Sequence, residues 1–190
     1  MDNNHVKRML ALVTAAAAAV TLGATASGLW AATAKLRATP QSTPPIKAVP
    51  TKRVNPELVA NLRSTTRHWE ALVGLRLSRS VAPLSSERAL HFWQARWTRV
   101  RRIAGRPPHR NAWLCIHRFE GSWGDSGDPY WGGLQMDRGF MRSYATRDLL
   151  HRGWANRWTA LEQMWVAERA HRSGRGFYPW PNTAHYCNLI

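Results

Sequence analysis

Between Cys115 and Asp137 the chain reads C-I-H-R-F-E-G-S-W-G-D-S-G-D-P-Y-W-G-G-L-Q-M-D. A single glutamate, Glu120, precedes three aspartates and a set of aromatics and glycines. Asn111 can cap a helix that carries Trp113, Ile116, His117 and Glu120 on one side, and Gly121 ends it. A carboxyl group at that end meets the negative pole of the helix dipole. Phe119 and Trp123 are close enough in sequence to keep water away from it. Such surroundings favour the neutral form of a carboxyl group. A carboxylic acid that keeps its proton near neutral pH can protonate a glycosidic oxygen. The flat faces of Trp123, Tyr130 and Trp131 suit the apolar C–H faces of sugar rings. Gly132-Gly133 lets backbone approach a ligand closely, and Gln135 offers a donor and an acceptor to hydroxyl or acetamido groups. The residues alone leave a second reading open, in which Glu120 is a solvated helix-end carboxylate paired with Arg118 or Arg138.

A glycosidase of the usual kind needs two carboxylates. Asp125 and Asp128 lie in a glycine-rich loop, where aspartate commonly shapes turns. Asp137, directly after the Gly-Gly-Leu-Gln segment, is the preferred second carboxylate. His117, His151, His171 and His185 show no ligand spacing, and Asp125 to Asp128 is too short for a calcium loop. Gly132-Gly133 lacks the lysine and the strand–helix context of a phosphate loop. No metal and no cofactor are therefore predicted.

The elements that must position these residues can be read from composition. The chain has 190 residues and a net charge of +16, with 27 Lys+Arg against 11 Asp+Glu. The excess is uneven: 17 basic against 4 acidic residues up to Arg106, and 10 against 7 after it. Seven of the 11 tryptophans also lie after Arg106. A basic half and then a near-neutral, aromatic half suggest an extension and a domain.

Residues 1–34 read as a signal peptide or signal anchor. Lys7-Arg8 precedes an uncharged run from Met9 to Ala34, with small-x-small sites at Ala24-Thr25-Ala26 and Ala32-Thr33-Ala34. Left uncleaved, the run is long enough to span a bilayer. In either case the flanking charge places the rest of the chain outside the cytoplasm, as a secreted or envelope protein. Export favours a disulfide between the two cysteines, Cys115 and Cys187.

Residues 35–54 form a proline-rich linker. Asn55-Pro56 opens a helix with Leu58, Leu62, Thr65, Trp69 and Leu72 at helical spacing, broken by Pro83. A second helix over Ser86–Ala104 carries Trp93, Trp97, Val100 and Ala104 on one face and arginines on the rest. The segment 55–106 is thus a basic helical extension whose arginine face could attract anionic polymers. In 107–190, after Gly105-Arg106-Pro107-Pro108, a turn or short hairpin is expected at Tyr130–Met136 and a short helix at Arg138–Tyr144. A capping box at Thr159–Glu162 opens a helix through about Arg172. The domain is predicted mainly α, with at most a short β-hairpin.

Several of these segments together resemble the transglycosylase-like domain of resuscitation-promoting factors, in the lysozyme-like superfamily. The residues are Glu120-Gly121-Ser122-Trp123, Tyr130-Trp131-Gly132-Gly133-Leu134-Gln135-Met136, Val166-Ala167-Glu168-Arg169, Gly174-Arg175-Gly176, Trp180-Pro181 and Cys187, in that order. The resemblance implies an α+β lysozyme-like domain, Glu120 as catalytic acid and the peptidoglycan glycan as substrate. This chain departs from the pattern in three places. Phe119 stands where the family has a cysteine, with Cys115 about one turn earlier. The Glu-to-Trp gap is shorter, and Asp137 replaces a common threonine. Superfamily members can work with one glutamate, leaving an anhydro sugar; lytic transglycosylase and muramidase both stay open. The expected activity is cleavage of the β-1,4 glycan of peptidoglycan by a monomer that binds no nucleic acid. The alternative is a noncatalytic module that binds wall glycan through the same aromatics.

Overall fold

The computed structural model describes residues 54–190. The export segment and nearly all of the linker predicted above lie outside them. Among the described residues no helix is long and apolar enough to cross a membrane. The fold is mainly helical: α1 (Pro56–Val73), α2 (Glu87–Ala104), α3 (Arg110–Glu120), α4 (Arg138–Tyr144), α5 (Arg147–Arg152), α6 (Ala160–Ala170) and α7 (Pro181–Tyr186). Three two-residue strands lie between α3 and α4: β1 (Ser126–Gly127), β2 (Tyr130–Trp131) and β3 (Met136–Asp137). They pair antiparallel in the order β1-β2-β3, with Ser126 opposite Trp131 and Tyr130 opposite Asp137. The sheet is thus one strand larger than the hairpin expected, because the aspartate-rich loop also folds back onto Tyr130-Trp131.

Local chemistry accounts for most helix ends. Asn55 caps α1 by accepting from Glu57 N (2.9 Å) and Leu58 N (3.4 Å), with Pro56 in the first turn. Gly74, at φ 82°, closes the other end, nine residues before the expected break at Pro83. Leu58 and Thr65 of the predicted apolar face are exposed; Val59, Thr66, Glu70, Leu72 and Val73 are the buried residues. Thr159 and Glu162 form the capping box of α6, and Asp137 Oδ1 caps α4 by accepting from Phe140 N at 2.7 Å. The start of α3 departs from expectation. Asn111 is exposed inside the helix, and His109 is the residue before it, without a side-chain cap. The acceptor at this end comes from another helix: Glu168 Oε1 receives His109 N at 2.7 Å.

The core gathers Trp113 and Ile116 from α3, Leu134 and Met136 from the sheet region, Met141 from α4, Leu149 from α5 and Met164 to Ala167 from α6. Leu72 and Val73 of α1 and Ala104 of α2 belong to the same cluster. Trp165 Nε1 donates to Ala104 O (2.7 Å) and Arg169 Nη1 to Ala71 O (3.1 Å). Residues 55–106 are therefore not an appendage to a separate domain at 107–190, as charge balance suggested. Their apolar residues complete the core, and a second small cluster of Val59, Ala89 and Trp93 joins α1 to α2. Charge marks the solvent side of a helix and carries no information about what its other side packs on.

Two buried glutamates brace this arrangement. Glu70, fully buried, accepts from Ser78 N (2.7 Å), Ser78 Oγ (2.5 Å) and Arg96 Nε (2.6 Å). Burial pushes its carboxyl up, but Ser78 and then Arg96 outweigh burial and hold it below the usual value. Glu162 accepts from His68 Nε2 (2.9 Å), Thr159 N (2.8 Å) and Arg152 Nη2 (2.5 Å). Here too burial is the largest single influence and acts upward. The bonds from His68 and Thr159 and the charge of Arg152 together bring the carboxyl down to about 2.

Candidate functional site

Glu120 is the last residue of α3, and Gly121 at φ 151° turns the chain away. Its carboxylate is partly exposed and accepts a hydrogen bond from Thr183 Oγ1 of α7 at 2.8 Å. The disulfide Cys115–Cys187 joins α3 to the end of α7, with Cα atoms 6.0 Å apart. One covalent bond and one hydrogen bond therefore hold α7 against the end of α3. The two rings expected to desolvate the carboxylate each pack on another ring. Phe119 is 55% exposed and lies against Tyr186, at 5.5 Å between ring centroids. Trp123 stacks instead on His117, at 3.9 Å and 22°.

A cleft of about 360 Å³ opens beside this region, lined among others by Tyr130, Gln135, Asp137, Tyr144, Arg175 and Trp180. Glu120 is not part of its lining. It is one residue from the wall on one side, since a Cβ added at Gly121 would lie 3.2 Å from Gln135 Nε2. On the other side its partner Thr183 is three residues after Trp180 in the chain, and Thr183 Oγ1 also lies 3.3 Å from Trp180 O. Tyr144 also lines the cleft, and its hydroxyl accepts from Ser173 Oγ at 3.5 Å. The hydroxyl of Ser173 is the largest influence on it, and Arg175 adds to it; together they outweigh burial and hold its pKa below the ordinary value.

The proposed sugar platform divides in two. Tyr130 is 49% exposed and lines the cleft, and Gln135 lines it too. Trp131, by contrast, is a core residue at 7% exposure, packed near Trp154 and under the Arg138 guanidinium. Trp123 acts as a buttress: its backbone O accepts from Gln163 Nε2 at 2.9 Å and its ring fills the space over Gly133. Gly133 itself is buried rather than ligand-facing. A Cβ there would lie 2.6 Å from His117 Nδ1 and 2.7 Å from the Trp123 ring, so this glycine admits protein side chains, not a substrate.

The three aspartates all have structural partners. Asp125 Oδ2 accepts from Gln135 Nε2 (2.9 Å), Asp128 pairs with Arg138 (3.1 Å), and Asp137 caps α4. Asp137 does line the cleft, yet one of its oxygens is committed to the Phe140 N–H. The preference for it as a second catalytic carboxylate finds a cap instead.

Sequence reasoning missed Thr183 and Gln163. Gln163 is fully buried; it accepts from Gly133 N (2.8 Å) and donates to the carbonyls of Trp123, Ala155 and Trp158. No local signal marks either residue. The partners that matter, Glu120 for one and Gly133 and Trp123 for the other, are 30 or more positions away. A third group escaped notice at the far end of α3. Glu168 is fully buried and accepts from His109 Nδ1 (3.1 Å) and Trp113 Nε1 (2.9 Å), and the His109 and His171 rings are 4.1 Å apart. Burial, and then the charge of His109, keep His171 below the usual histidine range against the pull of Glu168.

Compared with family models, with curated proteins and with solved structures, the chain matches none of them.

Proposed function

We propose that this chain is a lysozyme-like enzyme that cleaves the β-1,4 glycan backbone of peptidoglycan outside the cytoplasm. Glu120 acts first as general acid and then as base. The observation that carries the reading is the Glu120–Thr183 hydrogen bond at the edge of the cleft. It orients a lone, partly exposed carboxylate at the end of a helix that is also held by a disulfide. The cleft's phenols, amide and guanidinium can bind a glycan, with Tyr130 as the exposed ring for stacking and Gln135 and Arg175 for polar groups. The segments that resemble those of resuscitation-promoting factors, in the same order along the chain, support the same substrate. The disulfide agrees with an exported protein.

Because the nearby aspartates are engaged elsewhere, the mechanism favoured uses one carboxyl group. Glu120 gives its proton to the glycosidic oxygen as the C1–O bond breaks. The resulting carboxylate then takes the proton of the sugar's own 6-hydroxyl as that oxygen bonds to C1. The product ends in an anhydro sugar and no water is consumed.

One observation favours a second reading: Glu120 does not line the cleft. A noncatalytic glycan-binding module would use the cleft and leave the glutamate as an acceptor. The two separate when the full chain and a Glu120→Gln variant are incubated with purified peptidoglycan and the soluble products weighed by mass spectrometry. Anhydro-ended fragments from the wild type alone are expected. Release of nothing by either protein, with both still bound to the wall, would establish the binding module. Reducing ends instead of anhydro ends would mean hydrolysis.

A further inference from the structure

We propose that His109, Glu168 and His171 form a binding site for a divalent transition-metal ion, zinc above all. Each offers one ligand atom, and the three atoms lie within 4.8 Å of one another. Glu168, in the last turn of α6, and His171, the residue that follows α6 with helical backbone angles, are spaced i, i+3, which puts both side chains on one face. His109 comes from the residue before α3, 59 positions from Glu168. The site would therefore join the start of one helix to the end of another.

The carboxylate is set up as a ligand. Its Oε1 already accepts from His109 N (2.7 Å) and Trp113 Nε1 (2.9 Å). These bonds fix the plane of the group and leave Oε2 toward the His109 imidazole, as outer hydrogen bonds commonly orient metal ligands. Oε2 lies 3.1 Å from His109 Nδ1. With metal–ligand bonds of about 2.0–2.1 Å, adjacent donors of a tetrahedral shell are about 3.3 Å apart, so this pair already spans close to one edge. His171 offers the third donor within 4.8 Å of the other two, with its ring 4.1 Å from that of His109.

Charge argues the same way. Glu168 is fully buried, and among the described residues its only side-chain ion-pair partner is His109. A buried carboxylate without a lasting counter-charge is costly, and a divalent cation would supply one. Two imidazole nitrogens and a carboxylate oxygen suit zinc, with the fourth position left to water. The His109 side chain is 39% exposed, which gives the ion a way in. By helical rise the site is about 16 Å from Glu120 along α3. Its role would be to hold the start of α3 as the disulfide holds the later part, and it does not depend on the catalytic reading.

The test uses the full chain, freed of metal by chelation, with His109→Ala and His171→Ala variants beside it. Neither substitution removes the Glu168 bonds to His109 N and Trp113 Nε1. Zinc titration by calorimetry should show one site in the wild type that is at least tenfold weaker in both variants. Cobalt should give the visible spectrum of a tetrahedral site in the wild type only, and zinc should raise the wild-type Tm more than that of either variant. Equal zinc affinity in all three proteins, or no binding by the wild type, would overturn the site.

Discussion

Glu120 is the residue on which the functional reading turns, and its hydrogen bond makes it testable apart from the fold. Glu120→Gln keeps an acceptor for Thr183 and so should retain Tm within a few degrees. Release of soluble muropeptides should fall by at least about 100-fold, the usual scale for a general acid. Thr183→Val removes the donor and leaves the carboxylate unrestrained. It should lower kcat by about tenfold with little change in KM, since orientation rather than binding is lost. The aromatics divide by burial. Tyr130→Ala should weaken glycan binding and spare stability, whereas Trp131→Ala should cost about 3–5 kcal/mol in chemical denaturation because it empties part of the core. Composition pointed to all the rings around Glu120. It could not say which would be used up by the core, since a tryptophan that stacks on sugar and one that stacks on histidine look alike in sequence.

The elements show which local signals were sufficient. The caps of α1 and α6 were legible because Asn55, Pro56, Thr159 and Glu162 act on backbone groups two or three residues away. The start of α3 was not, because its acceptor comes from α6. Glu162 links this scale to pH. Its folded carboxyl, near 2, lies below the ordinary value of 4.5. It therefore contributes stability that is present above about pH 4.5 and is lost as pH falls toward 2, on the order of 3 kcal/mol in all. Glu70 is shifted in the same direction. Acid denaturation tracked by circular dichroism should show Tm falling through that window, and Glu162→Gln should flatten much of the fall. Gly133→Ala is the corresponding packing test. With His117 and Trp123 both under 3 Å from the added Cβ, it should cost more than about 2 kcal/mol even though the site carries no strained φ.

At the scale of the molecule, the disulfide closes a separation of 72 residues between α3 and the end of the chain. In the chain-entropy model a loop of that size contributes about 4 kcal/mol. A Cys115→Ser, Cys187→Ser double variant should lose an amount of that order, measured by denaturant unfolding. Activity should fall too, because α7 carries Thr183. The arginine-rich helices α1 and α2 are part of the same core as the rest of the described residues, so truncation at Arg106 should yield a protein that does not fold. The boundary suggested by charge was misleading because the apolar faces of these helices, not their arginines, decide what they belong to.

By itself the sequence determined the helical character, most helix ends, the disulfide and the interest of Glu120. Each of these rests on residues close in sequence or, for the cysteines, on there being just two of them. Only the tertiary structure decided that Thr183 faces Glu120, that Asp137 is a cap, that Trp131 and Gly133 are packed inside, and that His109 meets Glu168 and His171. Most of those contacts join positions tens of residues apart, and which ones meet is set by how the helices pack around one core.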